Sequence, residues 1–412
     1  MDYYPRKIEE KLEKWVGRRE AILIKGPRQS GKTTLFLHLK DKLGGSYATL
    51  EDEDVLKTFE NNPKLFAKRF SEGGILFLDE AQYSKKAGKT IKLLFDLFPD
   101  IKPFVTGSGS FDIKVEIGKY MVGRAVYFEL LPLDFEEFLL WKAKDLYKIF
   151  SGYKNGIMDF LNGGRLEAVP AFEREFNSLL EEYLIFGGFP AMVKEGDAET
   201  KKELLKNLAR TYLEKDVFFF LNIRHIEKFR NLLHYLSFTT GSLLEISSVM
   251  RELNMDYKTA EHYLSILSAT YIVSLLPPFH KNLATELKKS RKIYFRDTGL
   301  RNSVISNFLP LESRTDKGLL FENFIFNELC SHFEGSKINY WRTAGKAEVD
   351  FVLQSGQEIV PVEVKSQTRL GKGFASFLTV YKPERALVFT EKDFGIKRIG
   401  KTQVAFLPHF FI

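Results

Sequence analysis

The stretch Gly26-Pro27-Arg28-Gln29-Ser30-Gly31-Lys32-Thr33 follows the apolar run Ala21-Ile22-Leu23-Ile24 and leads into Thr34-Leu35-Phe36-Leu37-His38-Leu39. Strand, glycine loop and helix in that order make the full G-x-x-x-x-G-K-[ST] pattern of a phosphate-binding loop. The glycines let backbone N–H groups turn inward on an anion, and the helix opening near Lys32 adds the positive end of its dipole at the same spot. The expected occupant is ATP, cradled by Gly26 through Thr34. Lys32 reaches the β- and γ-phosphates, and the Thr33 hydroxyl ligates Mg²⁺.

A second group of chemical residues closes the run Ile75-Leu76-Phe77-Leu78-Asp79-Glu80, which the turn signal Gly73-Gly74 precedes. A continuous apolar strand ending in two carboxylates is what a nucleotide hydrolase needs at the carboxyl edge of a parallel sheet. Asp79 is expected to hold Mg²⁺ through its water shell, and Glu80 to orient and partly deprotonate the attacking water. A third buried strand, Pro103-Phe104-Val105-Thr106, runs into Gly107-Ser108-Gly109-Ser110. Ser108 or Thr106 is the candidate γ-phosphate sensor there, with a plain glycine-serine turn as the alternative. Arg124, after Val122-Gly123 and before Ala125-Val126-Tyr127-Phe128, is the candidate arginine finger.

A third group lies near the C-terminus. Glu322 sits among apolar neighbours in the helical run Gly318–Leu329, and two strand-like runs follow, Ala347–Leu353 and Ile359–Lys365. Strand alternation puts Glu348 and Asp350 on one face, and likewise Glu363 and Lys365. Asp350 and Glu363 can bridge hard cations, Glu322 can complete the shell, and Lys365 can position or deprotonate a water attacking phosphorus. Arg342 and Gln367 are near enough in sequence to assist with phosphate. The alternative is a hairpin with charges on its wet face.

The elements that must position these groups read as follows. Ile8, Leu12 and Trp15 share one side of a helix ahead of the first strand. Tyr47-Ala48-Thr49-Leu50 is a short strand whose acidic tail, Glu51 to Asp54, caps the next helix. From Phe135 to about Lys206 the pattern is helical, a lid beside the nucleotide. Helix (Leu244–Leu253), turn, helix (Tyr257–Leu267) and strand (Tyr271–Leu276) give the order of a winged helix-turn-helix, whose second helix offers Lys258, Thr259, His262 and Tyr263. The basic run Lys288-Lys289-Ser290-Arg291-Lys292 can pair with phosphates or form a solvated edge.

With these motifs in view, the chain resembles archaeal and bacterial ATPases related to the AAA+ and signal-transducing (STAND) groups. The resemblance rests on Gly26 to Thr33, Leu78-Asp79-Glu80-Ala81-Gln82, Thr106-Gly107-Ser108, Gly123-Arg124 with Leu131 to Phe138, and Phe186-Gly187-Gly188-Phe189-Pro190. It implies an ATPase module fused to a C-terminal domain of uncharacterised function. The last constellation resembles the PD-(D/E)xK nuclease superfamily, with Asp350 in the second motif position and Glu363-Val364-Lys365 in the third.

The expected fold class is α/β: a P-loop parallel-sheet ATPase domain (1–134), a helical lid (135–203), a winged-helix-like domain (204–292) and a small α/β restriction-endonuclease-like domain (293–412). A length of 412 residues is too long for one ordinary core, and 44% hydrophobic with 28% charged residues is a globular composition. A net charge of +7 permits nucleic-acid contact without requiring it. The single cysteine, Cys330, excludes an intrachain disulfide, and no apolar run is long enough to span a bilayer, so a cytoplasmic protein is expected. The function expected is a Mg²⁺-dependent ATPase coupled to binding or processing of DNA. The alternative is a regulatory ATPase that switches a protein-interaction surface, with a protein partner or a second copy of itself.

Overall fold

The computed structural model describes residues 3–70, 72–107, 117–211, 225–279, 290–365 and 370–412. The four apolar residues that open β1 (Ala21–Lys25) are all buried, and they alternate. Ala21 and Leu23 pack with Phe59, Phe66 and Ile91, while Ile22 and Ile24 pack with Leu12, Leu35 and Phe36. A strand covered on both faces belongs inside a parallel sheet. With β2 (Ser46–Thr49), β3 (Ile75–Asp79), β4 (Lys102–Gly107) and β5 (Ala125–Glu129) it forms a sheet of order β2-β3-β4-β1-β5 in which every pairing is parallel. Helices α1 (Ile8–Val16) and α2 (Lys32–Leu43) cover one face; α3 (Glu53–Asn61), α4 (Pro63–Phe70) and α5 (Ala87–Leu97) cover the other. Because β4 lies between β1 and β3, the carboxyl ends of all three converge on the glycine loop.

The helices of the expected lid region follow as α6 (Phe135–Lys142), α7 (Lys144–Leu161), α8 (Glu173–Phe186) and α9 (Pro190–Lys194), and α10 (Ala198–Thr211) runs past its expected end at 203. Then come α11 (Ile226–Phe238), β6 (Leu243–Leu244), α12 (Ile246–Leu253), α13 (Tyr257–Ala269), β7 (Val273–Leu276) and β8 (Arg291–Phe295), with an antiparallel sheet of order β6-β8-β7. That is the element order expected of a winged helix-turn-helix. On α13, Lys258 and His262 are exposed, but Tyr263 is buried in the core with its hydroxyl donating to the His225 carbonyl at 3.5 Å. Tyr263 is therefore a packing residue rather than one offered outward.

The chain ends in α14 (Thr298–Val304), α15 (Lys317–His332), β9 (Lys337–Arg342), β10 (Glu348–Ser355), β11 (Glu358–Val364), α16 (Lys372–Tyr381), β12 (Arg385–Thr390), β13 (Gly395–Ile399) and β14 (Thr402–Pro408). Its mixed sheet runs β13-β14-β12-β11-β10-β9. One hydrophobic core joins the lid to this sheet: Phe135, Phe150 and Phe176 pack in the same cluster as Phe324, Phe351 and Phe389. The terminal residues close it, Phe411 stacking on Tyr153 at 4.0 Å and Phe410 on Phe176 at 5.0 Å. These helices thus share their interior with the C-terminal sheet.

The Phe186–Pro190 motif is a crossing point in this packing. A Cβ on Gly188 would meet the Leu133 carbonyl oxygen at 2.0 Å, so only glycine fits. The Gly188 amide donates to Asp297, which also caps α14 through the Leu300 amide at 2.7 Å.

A buried polar cluster ties α1, α6 and α15 together. Lys7 Nζ sits 2.6 Å from Asp134 and also pairs with Glu136, and the Phe135 amide donates to Glu328 at 3.1 Å. Among the described residues, Asp134, Glu328 and His332 form the one group of three potential metal-ligating side chains whose atoms lie within 4.8 Å of one another, and the Lys7 ammonium already supplies a counter-charge there. Burial, with Lys7 nearby, lowers the His332 pKa to about 4. A base whose folded pKa is depressed contributes stability that is present above about pH 6.5 and lost as the pH falls toward 4. The expected NMR titration therefore shows the His332 ring still neutral at pH 5. A midpoint near the ordinary imidazole value contradicts this.

Candidate active sites

At the first site, positive φ angles at Gln29 (59°) and Gly31 (96°) fold the loop. A Cβ on Gly26 would strike the Leu130 carbonyl oxygen at 2.0 Å, so the chain entering the loop can lie this close to the end of β5 only as glycine. Lys32 is buried, and its Nζ donates to the Gly26 carbonyl at 3.0 Å and the Pro27 carbonyl at 2.6 Å. These bonds hold the ammonium across the mouth of the loop. Thr33, the next residue, is exposed and its hydroxyl donates to Asp79 Oδ2 at 2.6 Å.

Asp79 is buried at the tip of β3 and gathers four donors: Thr33, the Tyr47 hydroxyl at 2.9 Å, the Thr106 hydroxyl, and the Glu80 amide at 3.0 Å. Glu80 follows in a left-handed conformation with φ 55°, which turns its side chain off the strand. A non-glycine residue held there is the kind of backbone strain that collects at functional sites. Burial raises the Glu80 pKa; Lys32 works against that shift, Asp79 adds to it, and Gln82 donates to the carboxylate. A hydroxyl and a buried carboxylate 2.6 Å apart at a strand tip suit a hard cation as a donor set.

Thr106, fully buried, links β4 to this centre by donating to Asp79 and accepting from the Glu80 amide at 3.3 Å. Ser108 lies outside the described residues, as do Lys288, Lys289 and Gln367. Arg124, the candidate arginine finger, lies far from the loop of its own chain. It immediately precedes β5 at the amino edge of the sheet, where its carbonyl accepts from the Ala21 amide at 2.8 Å, whereas the loop follows β1 at the carboxyl edge. The strand length separates them by roughly 15 Å. The half-exposed Arg124 side chain instead pairs with Asp96 at 3.3 Å.

At the C-terminal constellation the pairing Phe351↔Val362 brings Asp350 beside Glu363. Lys365 Nζ lies 2.8 Å from Glu363 and 3.9 Å from Asp350, and Asp350 accepts from the Val364 amide at 2.8 Å. The alternation expected along β10 is interrupted between Val349 and Val352, which pack in one cluster although three residues apart. Such a bulge re-aims side chains, and here it sits around Asp350. Burial, then Glu363 and Glu322, hold the Asp350 pKa well above the carboxylate range; burial also raises that of Glu363, against the pull of Lys365. Glu363 Oε2 is buried with no hydrogen-bond partner. Glu322 stands close enough to raise both their pKa values, and one of its oxygens is taken up by other partners. It accepts from Lys292 at 3.1 Å and from Tyr294 at 2.6 Å, and Lys292 also reaches Glu348 at 2.6 Å. Lys292 is thus buried beside the acids rather than solvated, while Arg291 pairs with Glu261 at 3.3 Å.

Residues 18–139 match a family model described as an AAA domain. The N-terminal module thus pairs a P-loop ATPase sheet with an AAA-domain match. Beyond the AAA module, residues 177–311 and 317–410 match models described as domains of unknown function, DUF8612 and DUF4143. An uncharacterised protein of Methanocaldococcus jannaschii is 29% identical over 345 residues, covering 80% of this chain and 71% of that one. One from Mycobacterium tuberculosis is 25% identical over 364 residues, covering 86% and 72%. The Walker-type ATPase of Pyrococcus abyssi is similar at a TM-score of 0.49 and 16% identity, over 74% of this chain and 96% of that one. Among the described residues, no helix is long and apolar enough to cross a membrane.

Two residues serving the AAA module escape motif reading. Tyr47 holds Asp79 from β2, and Arg6 lies ahead of α1. The Arg6 guanidinium is buried, donates to the Ser30 carbonyl inside the loop at 2.9 Å, and grips both Glu137 oxygens at 3.0 Å. An arginine followed by an acidic helix carries no local signal of such a long-range contact.

Proposed function

We propose that the chain is a Mg²⁺-dependent ATPase whose nucleotide state is coupled, through the lid, to a nucleic-acid-processing site in the C-terminal sheet. The observation that carries the coupling is the Arg6 bridge between the Ser30 carbonyl of the loop and Glu137 of α6. From α6, the Phe135 amide donates to Glu328 of α15, the helix that also bears Glu322. A shift of the loop on nucleotide exchange therefore acts on two consecutive buried contacts.

In the ATPase, the loop amides and Lys32 bind and orient the triphosphate, and Glu80 orients the attacking water and accepts its proton. Thr33 and, through water, Asp79 would hold Mg²⁺, which would supply charge neutralisation to the phosphates. Arg124, too far from its own loop, acts on the loop of a second copy. Arg124→Ala is expected to lower turnover by ~10³-fold or more, and mixing it with Lys32→Ala should recover part of the rate. Wild-type turnover by Arg124→Ala alone excludes the role.

At the C-terminal site, Asp350 and Glu363 fit a hard divalent cation, the unpartnered Glu363 oxygen being the open ligand, and Lys365 positions the attacking water. The exposed Lys258 and His262 of α13 are the residues offered to DNA. The test is incubation of branched and linear DNA with Mg²⁺, with and without ATP. Asp350→Asn and Lys365→Met are expected to slow cleavage by ~10²-fold or more, with ATP turnover retained, and Asp350→Asn to lose Mn²⁺ binding seen by electron paramagnetic resonance. Unchanged cleavage in both variants removes the assignment.

One contact favours a second reading. The buried Lys292 ammonium ties up Glu322 and Glu348, as expected of a nuclease-like fold kept as a binding module in a signal-transducing ATPase. Absence of DNA binding at low salt, together with ATP turnover indifferent to DNA, selects that reading.

A further inference from the structure

Helices α10, α11 and α14 line an open groove of about 430 Å³ remote in sequence from the phosphate loop, with its four basic side chains exposed. Its walls bring Lys206 and Arg210 from α10 together with Arg230 and His234 from α11. Among the described residues, no aspartate or glutamate lines it. Neither Lys206 nor Arg230 has an ion pair or side-chain hydrogen bond among the described residues, although Glu203 and Glu227 stand one turn away on their own helices. At the edge contributed by α14 lies Ser303, 6% exposed, whose hydroxyl is buried without a hydrogen-bond partner. Leu233, Ala209 and Val304 supply apolar wall between the polar groups.

Two features of this arrangement are unfavourable in isolation. Lys206 and Arg230, brought together without counter-ions among the described residues, repel, and a buried hydroxyl with no partner has lost its water for nothing. An anion with several acceptor oxygens satisfies both at once, accepting from the guanidinium fork, the ammonium and the hydroxyl. The volume falls in the range of small-molecule sites and exceeds what a bare phosphate fills, and the apolar wall suits a ring or sugar. We propose that this groove binds a phosphate monoester of mononucleotide size, through Arg230, Lys206 and the Ser303 hydroxyl. Such a group is carried by a free nucleoside monophosphate and by the 5′-phosphorylated end of a DNA strand.

The test uses the full chain with its phosphate loop saturated by Mg²⁺ and a non-hydrolysable ATP analogue, so that the known loop is silent. Equilibrium dialysis with labelled thymidine 5′-monophosphate is compared with binding of one oligonucleotide in 5′-phosphorylated and 5′-hydroxyl forms. The expected result is saturable binding of the monophosphate at one equivalent per chain, weakened about tenfold or more by Lys206→Ala with Arg230→Ala, with analogue binding unchanged. Arg230→Lys, which keeps the charge, retains most of the affinity and separates loss of the site from loss of the fold. Preference for the phosphorylated oligonucleotide, abolished in the double variant, assigns the site to strand ends; equal affinity for both forms assigns it to the free nucleotide. Absence of saturable monophosphate binding together with no discrimination between the oligonucleotides overturns the proposal, as does a double variant that binds like the wild type.

Discussion

Glu80→Gln is expected to slow ATP hydrolysis by ~10²–10⁴-fold while leaving ATP binding intact. The amide keeps the shape of the side chain and its left-handed backbone but cannot accept a proton from the attacking water. Asp79 is not otherwise disturbed, because it takes its bonds from Thr33, Tyr47, Thr106 and the Glu80 amide rather than from the Glu80 side chain, and the remaining amide oxygen can still accept from Gln82. The sign of the pH dependence follows from the same environment. Burial lifts the Glu80 pKa, so the acid limb of the kcat profile lies above the ordinary carboxylate range and is absent from the residual rate of the variant. Single-turnover hydrolysis of labelled ATP beside equilibrium binding separates the two effects. Retained turnover in Glu80→Gln removes the catalytic assignment.

Lys32→Ala is expected to weaken ATP binding by about two orders of magnitude, the scale of a charge-assisted hydrogen bond to phosphate worth ~3 kcal/mol. The ammonium is not recruited from solvent. It is buried and already fixed by the Gly26 and Pro27 carbonyls at 3.0 and 2.6 Å, so little side-chain entropy remains to be lost when phosphate arrives. Titration calorimetry with ATP and Mg²⁺ measures the loss directly. An unchanged Kd means that the triphosphate is held elsewhere.

The ATPase module was legible because its signals are short-ranged. Eight consecutive residues specify the loop, and the fully apolar β3 ending in Asp79 and Glu80 specifies its partner. Arg124 illustrates the limit of motif reading. The motif names the residue, but which edge of the sheet it occupies follows only from β5 running parallel to β1. Long-range contacts left no local trace: Lys292 looks like one more cation in a basic run, yet β8 delivers it into a cluster of acids. The shared core of lid and C-terminal sheet was equally hidden, since Phe135 and Phe389 each look like ordinary core residues of separate domains. Alternation along β10 places Glu348 and Asp350 on one face, and the bulge beside Asp350, which alternation does not foretell, changes how they are aimed.

The central claim is that the glycine loop holds a nucleoside triphosphate with Lys32 on its terminal phosphates. A crystal structure of the chain with Mg²⁺ and a non-hydrolysable ATP analogue tests it most directly. Phosphate oxygens are expected against the amides of residues 26 to 34, with Lys32 Nζ drawn off the Pro27 carbonyl onto the β- and γ-phosphates. A loop that stays empty at saturating ligand, with Lys32 still bound to Gly26 and Pro27, contradicts it.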